Sequence, residues 1–126
     1  MKLKILIFLF LLSCAKITLA QDKLEKLFAE TTADERATFQ TSRMKDALSL
    51  SSEQEQKVFE INLKYTQKME HVFRLGGGKL QRLKKMKAVG NQKDSELRSV
   101  LDNQQFQRYE QIKEEMRETM QERRKG

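Results

Sequence analysis

The sequence predicts an all-α chain, a thin bundle of about four amphipathic helices that includes a long helical hairpin. Three observations predict it. From Ala33 onward apolar residues recur at three- and four-residue spacing, and no stretch alternates with the period of a strand. Thr, Ser or Asp followed three residues later by Glu or Gln stands where helices should begin. The 126 residues include no Pro and only five Gly, too few turn formers for an all-β fold. The length allows one domain.

Residues 1–20 read as a secretory signal peptide. Lys2 and Lys4 form a basic start, Ile5 to Leu12 is an unbroken apolar run, and Ala20 with Thr18 before it supplies the small residues of a cleavage site. The run ends before Lys16, short of the roughly 20 residues that span a bilayer. Leu11-Leu12-Ser13-Cys14 also resembles a lipobox, so the alternative is a lipoprotein anchored through Cys14. Without residues 1–20 the net charge falls from +7 to +4 and the apolar fraction from 38% to about 31%, low for a self-sufficient core. Cleavage also removes the single Cys, which suits an oxidising compartment.

Residues 21–31 form a polar N-terminal arm, either a short helix or disordered, with Leu24, Leu27 and Phe28 as its apolar members. Residues 32–126 form the helical domain. Thr32-Ala33-Asp34-Glu35 is a capping box, and the helix it opens should run to about Leu48 with Ala33, Ala37, Met44, Ala47 and Leu48 on one face. Ser51-Ser52-Glu53-Gln54 opens a second helix whose buried stripe is Val58, Ile61, Tyr65, Met69, Val72 and Phe73. Phe39, Phe59 and Leu63 lie off these stripes. Gly76-Gly77-Gly78 ends the second helix, since each Gly inside a helix costs about 1 kcal/mol against Ala. A short basic helix, Lys79 to Val89, follows and is closed by Gly90-Asn91; its Leu80, Leu83, Met86 and Val89 drift around the axis. Asp94 caps a short segment containing Leu97, Val100 and Leu101. Asp102 or Asn103 caps the last helix, with Phe106, Tyr109, Ile112, Met116 and Met120 in a narrow stripe.

No catalytic constellation emerges, and the chain reads as a non-enzyme without a cofactor. The single His71 is mid-helix, with only Glu60 and Glu70 as conceivable metal partners and no ligand spacing. Met116 and Met120 have the spacing of core residues before that of a soft-metal site. Glu114 and Glu115 stand among Lys113 and Arg117 as a solvated charged face. The charge itself is uneven: residues 21–63 carry net −3, residues 64–93 net +8 and residues 94–126 net −1. The cationic stretch suits acidic protein segments or weak contact with an anionic membrane surface. Export argues against nucleic acid, and Leu80, Leu83 and Met86 are too few for a membrane-lying helix.

The second signal is a repeat. Leu50-Ser51-Ser52-Glu53-Gln54 and Leu101-Asp102-Asn103-Gln104-Gln105 share one frame: a Leu that staples, a capping residue, and a Gln that completes the box. The motif residues are thus Leu50, Ser51, Gln54, Leu101, Asp102 and Gln105. Two such Leu-Thr-x-x-Gln-type motifs in a small, exported, basic helical chain resemble the Spy/CpxP family of periplasmic proteins, over roughly Arg36 to Arg124. Ser51 and Asp102 stand where that family has Thr, and both residues cap. The resemblance implies a cradle-like antiparallel homodimer in the periplasm. It also implies ATP-independent chaperoning of unfolded or misfolded envelope proteins, or a regulatory role in envelope stress. Some relatives are metal-responsive, but their histidine-rich elements are missing here. The residues expected to contact clients are Lys79, Leu80, Arg82, Leu83, Lys84, Lys85, Met86 and Lys87, cations interleaved with flexible apolar side chains.

Overall fold

The computed structural model describes Lys23 and residues 25–126, divided into two units at Thr32 and Ala33. The readings placed on residues 1–20, including Cys14 and the cleavage site, lie outside the described residues. In the first unit, residues 25–30 are helical, Lys26 pairs with Glu30 at 3.7 Å, and Thr31 Oγ1 donates to the Leu27 carbonyl at 2.6 Å.

The second unit consists of four helices: α1 (Ala33–Leu48), α2 (Ser52–Leu75), α3 (Lys79–Val100) and α4 (Asn103–Lys125). There is no strand among the described residues, as the periodicity predicts, and no helix there is long and apolar enough to cross a membrane. α1 packs along α2 and α2 along α3, while α4 leans more lightly on α1 and α3.

Helix α1 begins with Asp34 and Glu35 in its first turn, where carboxylates complement the helix dipole. It ends with Ser49 in the left-handed region at φ 53° and the Leu50 N–H donating back to the Lys45 carbonyl at 3.3 Å. This is the six-to-one bond of a Schellman closure, achieved without the usual Gly. Between α2 and α3 two glycines are required. Gly77 has φ 84°, and a Cβ on Gly76 would stand 2.2 Å from the Val72 carbonyl oxygen.

The core runs through all four helices: Leu48, Leu50, Val58, Ile61, Tyr65, Leu97, Leu101 and Phe106, with Met44, Val89, Val100, Tyr109 and Ile112 packed around it. Burial of a side chain the size of Leu97 or Val58, both fully enclosed, stabilises by about 1.5–3 kcal/mol. Two polar residues share this interior. Asn62 is completely buried on α2 and donates through Nδ2 to Thr41 Oγ1 at 2.9 Å; Thr41 Oγ1 in turn donates to the Ala37 carbonyl at 2.7 Å. The Asn62 carbonyl oxygen has no hydrogen-bond partner.

Three expectations need correction. Gly90-Asn91 does not end a helix, because α3 continues unbroken for 22 residues to Val100. The roughly 1 kcal/mol that Gly90 costs is outweighed by the packing of Met86, Val89, Lys93 and Leu97 on the inner side of α3. Asp94 is therefore mid-helix and caps nothing; its carboxylate accepts from the Tyr109 hydroxyl at 2.8 Å and from Lys113. Ala47 is exposed, and Thr41 fills the buried face of α1 between Ala37 and Met44. The three-residue drift of Leu80, Leu83, Met86 and Val89 has a direct outcome: the first two face solvent and the last two turn inward.

Candidate functional site

Two places stand out: the paired motifs, which lock the helices together, and the tip of the α2–α3 hairpin.

At each motif a helix ends, the chain turns and the next helix begins. Ser51 caps α2 by accepting the Gln54 N–H at 3.2 Å, and the Gln54 Oε1 accepts the Ser51 N–H at 3.1 Å. Asp102 caps α4 in the same way, at 2.7 and 3.0 Å. Leu50 and Leu101 are buried in front of these caps, so both act as staples. The two capping glutamines then meet. Gln54 Nε2 donates to Gln105 Oε1 at 2.8 Å, and Gln105 Nε2 donates to Gln54 Oε1 at 3.0 Å. The second proton of each amide goes to the last carbonyl of a helix, Val100 of α3 from Gln54 at 3.1 Å and Leu48 of α1 from Gln105 at 3.2 Å. Each amide thus makes four bonds, two given and two received, which exhausts its capacity. One residue closes the end of one helix, opens another and holds its counterpart. The six motif residues predicted from sequence are brought together, and their work is structural.

The hairpin tip is different. Leu75, Leu80 and Leu83 are 73%, 68% and 55% exposed. Lys79, Lys84, Lys85 and Lys87 surround them, all exposed and without an ion pair among the described residues. Leu80, Leu83, Lys84 and Lys87 follow the three- and four-residue spacing of a single helix face. Two of the eight predicted contact residues do something else. Arg82 lies over the Phe73 ring, 5.6 Å from its centroid, and donates to the Phe73 carbonyl at 3.3 Å, tying α3 to the end of α2. Met86 is half-buried. Sequence reasoning missed Leu75, the last residue of α2, because it precedes the three glycines and so lies outside the basic stretch.

Behind the tip, α3 carries two carboxylate clusters that fix it to its neighbours. Glu96 accepts from the Tyr65 hydroxyl at 2.7 Å and from Lys64. The Lys64 and Tyr65 hydrogen bonds hold the Glu96 carboxyl below the usual range, whereas burial, aided by Glu96, pushes Tyr65 up to about 12. Burial and the bond to Asp94 likewise push Tyr109 well above an ordinary tyrosine. Lys93 donates to Gln40 Oε1 at 3.1 Å across to α1, and burial lowers its pKa.

Among the described residues no three His, Cys, Asp or Glu side chains gather where they could hold a metal ion. His71 is exposed on α2. Met116 and Met120, expected in a stripe continuous with Phe106, are 47% and 60% exposed, and every residue of α4 from Glu114 on is exposed.

No curated protein and no solved structure matches the chain. Residues 20–109 match the sequence model of one family, described as a domain of unknown function (DUF4890). As that stretch takes in both glutamine motifs, the hairpin tip and well over half of the chain, this protein belongs to the DUF4890 family.

Proposed function

We propose that this protein is an exported, ATP-independent chaperone of the Spy/CpxP type, which captures unfolded envelope proteins in the periplasm through its α2–α3 tip. The observation that carries this reading is the tip itself, where three exposed leucines stand among four exposed lysines with no ion pair among the described residues. Unfolded chains offer apolar segments that a folded protein hides. Leucines on a helix face cover such segments without demanding a fixed shape, and the lysine field speeds encounter with acidic clients. The double glutamine motif and the apparent signal peptide support the same reading through their resemblance to that family.

The test is light scattering from an aggregating acidic client at low salt, with no nucleotide present. Equimolar protein should suppress aggregation. Lys84→Glu with Lys85→Glu should slow capture several-fold at low ionic strength and have less effect at about 0.5 M salt, where screening is nearly complete beyond a few ångströms. Unsuppressed aggregation at several-fold excess would reject the reading.

A further inference from the structure

We propose that the α2–α3 tip docks on the surface of an anionic phospholipid bilayer, its leucines entering the headgroup layer and its lysines pairing with lipid phosphates. No Asp or Glu occurs between Glu70 and Asp94, a stretch that holds seven Lys and Arg. The carboxylates at its two ends are engaged by other cations, Glu70 by Arg36 and Arg74 and Asp94 by Lys113. Lys79, Lys84, Lys85 and Lys87 are left exposed and without an ion pair among the described residues. All four fall at the start of α3, within about 12 Å of helix at 1.5 Å per residue. That span is comparable to the Debye length of about 8 Å in physiological salt, so the four meet a charged plane together.

The composition of the tip favours lipid over a specific protein partner. Protein interfaces concentrate Tyr, Trp and Arg and are poor in Lys, and Leu is under-represented among the residues that carry their binding energy. Here the unpaired cations are all Lys and the large exposed apolar residues are all Leu: Leu75, Leu80 and Leu83. Both arginines of the tip are occupied, Arg74 by Glu70 and Arg82 by the ring and carbonyl of Phe73. Leucine beside lysine is the pattern of membrane-surface segments. The apolar side chain enters the headgroup region, and the long lysine stem lets the ammonium reach the phosphates. The basic stretch has too few apolar residues for a helix lying on a membrane, but it does not have to lie there. α3 is packed on α2, and only its first turns, with Leu75 at the end of α2, are offered to the bilayer. So small an apolar contact is weak alone, which makes the docking depend on charge.

The docking uses the tip that the chaperone reading assigns to clients, but it is measured with no client present, so the two fail separately. The chain has no Trp, and Leu80→Trp therefore places a single indole on the tip, which reads the tip and not residues 1–20. Vesicles of phosphatidylglycerol and phosphatidylcholine in equal parts should shift its emission to shorter wavelength, and brominated lipid should quench it. Vesicles of phosphatidylcholine alone should do neither. Adding Lys84→Ala and Lys87→Ala should raise the lipid concentration at half-maximal shift about 25-fold, about fivefold per lysine. Salt at about 0.5 M should abolish the shift. Met120→Trp, at an exposed position on α4, should stay unshifted, and circular dichroism confirms that each variant is folded. An indole on the tip that anionic vesicles leave unshifted would overturn the proposal. So would a shift of equal size with phosphatidylcholine alone, one indifferent to loss of the two lysines, or an equal shift from Met120→Trp. A shift produced by polyglutamate but by no vesicle would overturn it too and assign the tip to acidic polypeptides.

Discussion

Replacing Gln105 with Ala should cost far more than a half-exposed glutamine normally does. Its amide makes four bonds at 2.8 to 3.2 Å, to Asp102 N–H, to the Leu48 carbonyl and twice to Gln54. A neutral hydrogen bond contributes about 0.5–1.5 kcal/mol net, at the low end where water can take over and higher where it cannot. Water reaches Asp102, an exposed residue, while the pair to Gln54 is partly buried. A sum of about 3 kcal/mol follows, and by the near two-fold likeness of the site Gln54→Ala should cost about the same. The two losses share the reciprocal amide bonds, so the double variant should cost about 1–2 kcal/mol less than the sum. Urea unfolding of the four members of this cycle measures each quantity. Gln104→Ala, at an exposed neighbouring position, serves as control and should lie within about 0.5 kcal/mol of the unaltered protein. Losses below about 1 kcal/mol, or strict additivity, would show that the glutamines merely cap their own helices and do not lock the two corners together.

Gly90→Ala should raise stability by about 0.5–1 kcal/mol, because Gly90 is inside α3 and a Cβ there meets nothing within 4 Å; a loss on denaturant unfolding would contradict a continuous α3. Asn62→Leu should be neutral or stabilising, since it removes a buried carbonyl oxygen with no partner while Thr41 keeps its bond to Ala37, whereas Asn62→Asp should destabilise by about 3 kcal/mol through an uncompensated buried charge. Alkali should destabilise the fold through its tyrosines. Tyr65 releases its proton at about 12 when folded against 10.0 when free, so between those values the unfolded chain binds fewer protons and stability falls as pH rises. The contribution is intact below pH 10, and Tyr109 shifts in the same direction. Since the chain has only two tyrosines, phenolate absorbance of the folded protein should remain low at a pH where the urea-unfolded chain is ionised. Coincident titrations would refute the burial argument.

The helical class, the boundaries of α1 and α2, the capping boxes at Ser51 and Asp102 and the cationic stretch were legible in the sequence, because each depends on residues close together along one helix. Periodicity places Val58, Ile61 and Tyr65 inside, and a Ser or Asp three residues before a Gln marks a helix start whatever else the chain does. What failed was any judgement that weighed a local signal against distant packing. Gly90-Asn91 reads as a stop by propensity, but α2 supplies a surface along which α3 gains more than the glycine costs. Asp94 reads as a cap, yet Tyr109 and Lys113, on α4, claim its carboxylate.

The motifs show the division most clearly. The sequence alone determined that Gln54 and Gln105 each close a capping box, since the partner of each is three residues away. Only the tertiary structure decided that the two amides face each other and take the last carbonyls of α1 and α3, because those bonds join residues 46 to 57 positions apart. The same holds for the surface. Composition settled that residues 64–93 are strongly basic. The packing of α3 on α2 and α1 decided which cations remain exposed with Leu75, Leu80 and Leu83, and which are used to hold the helices together, Arg82 to α2 and Lys93 to α1.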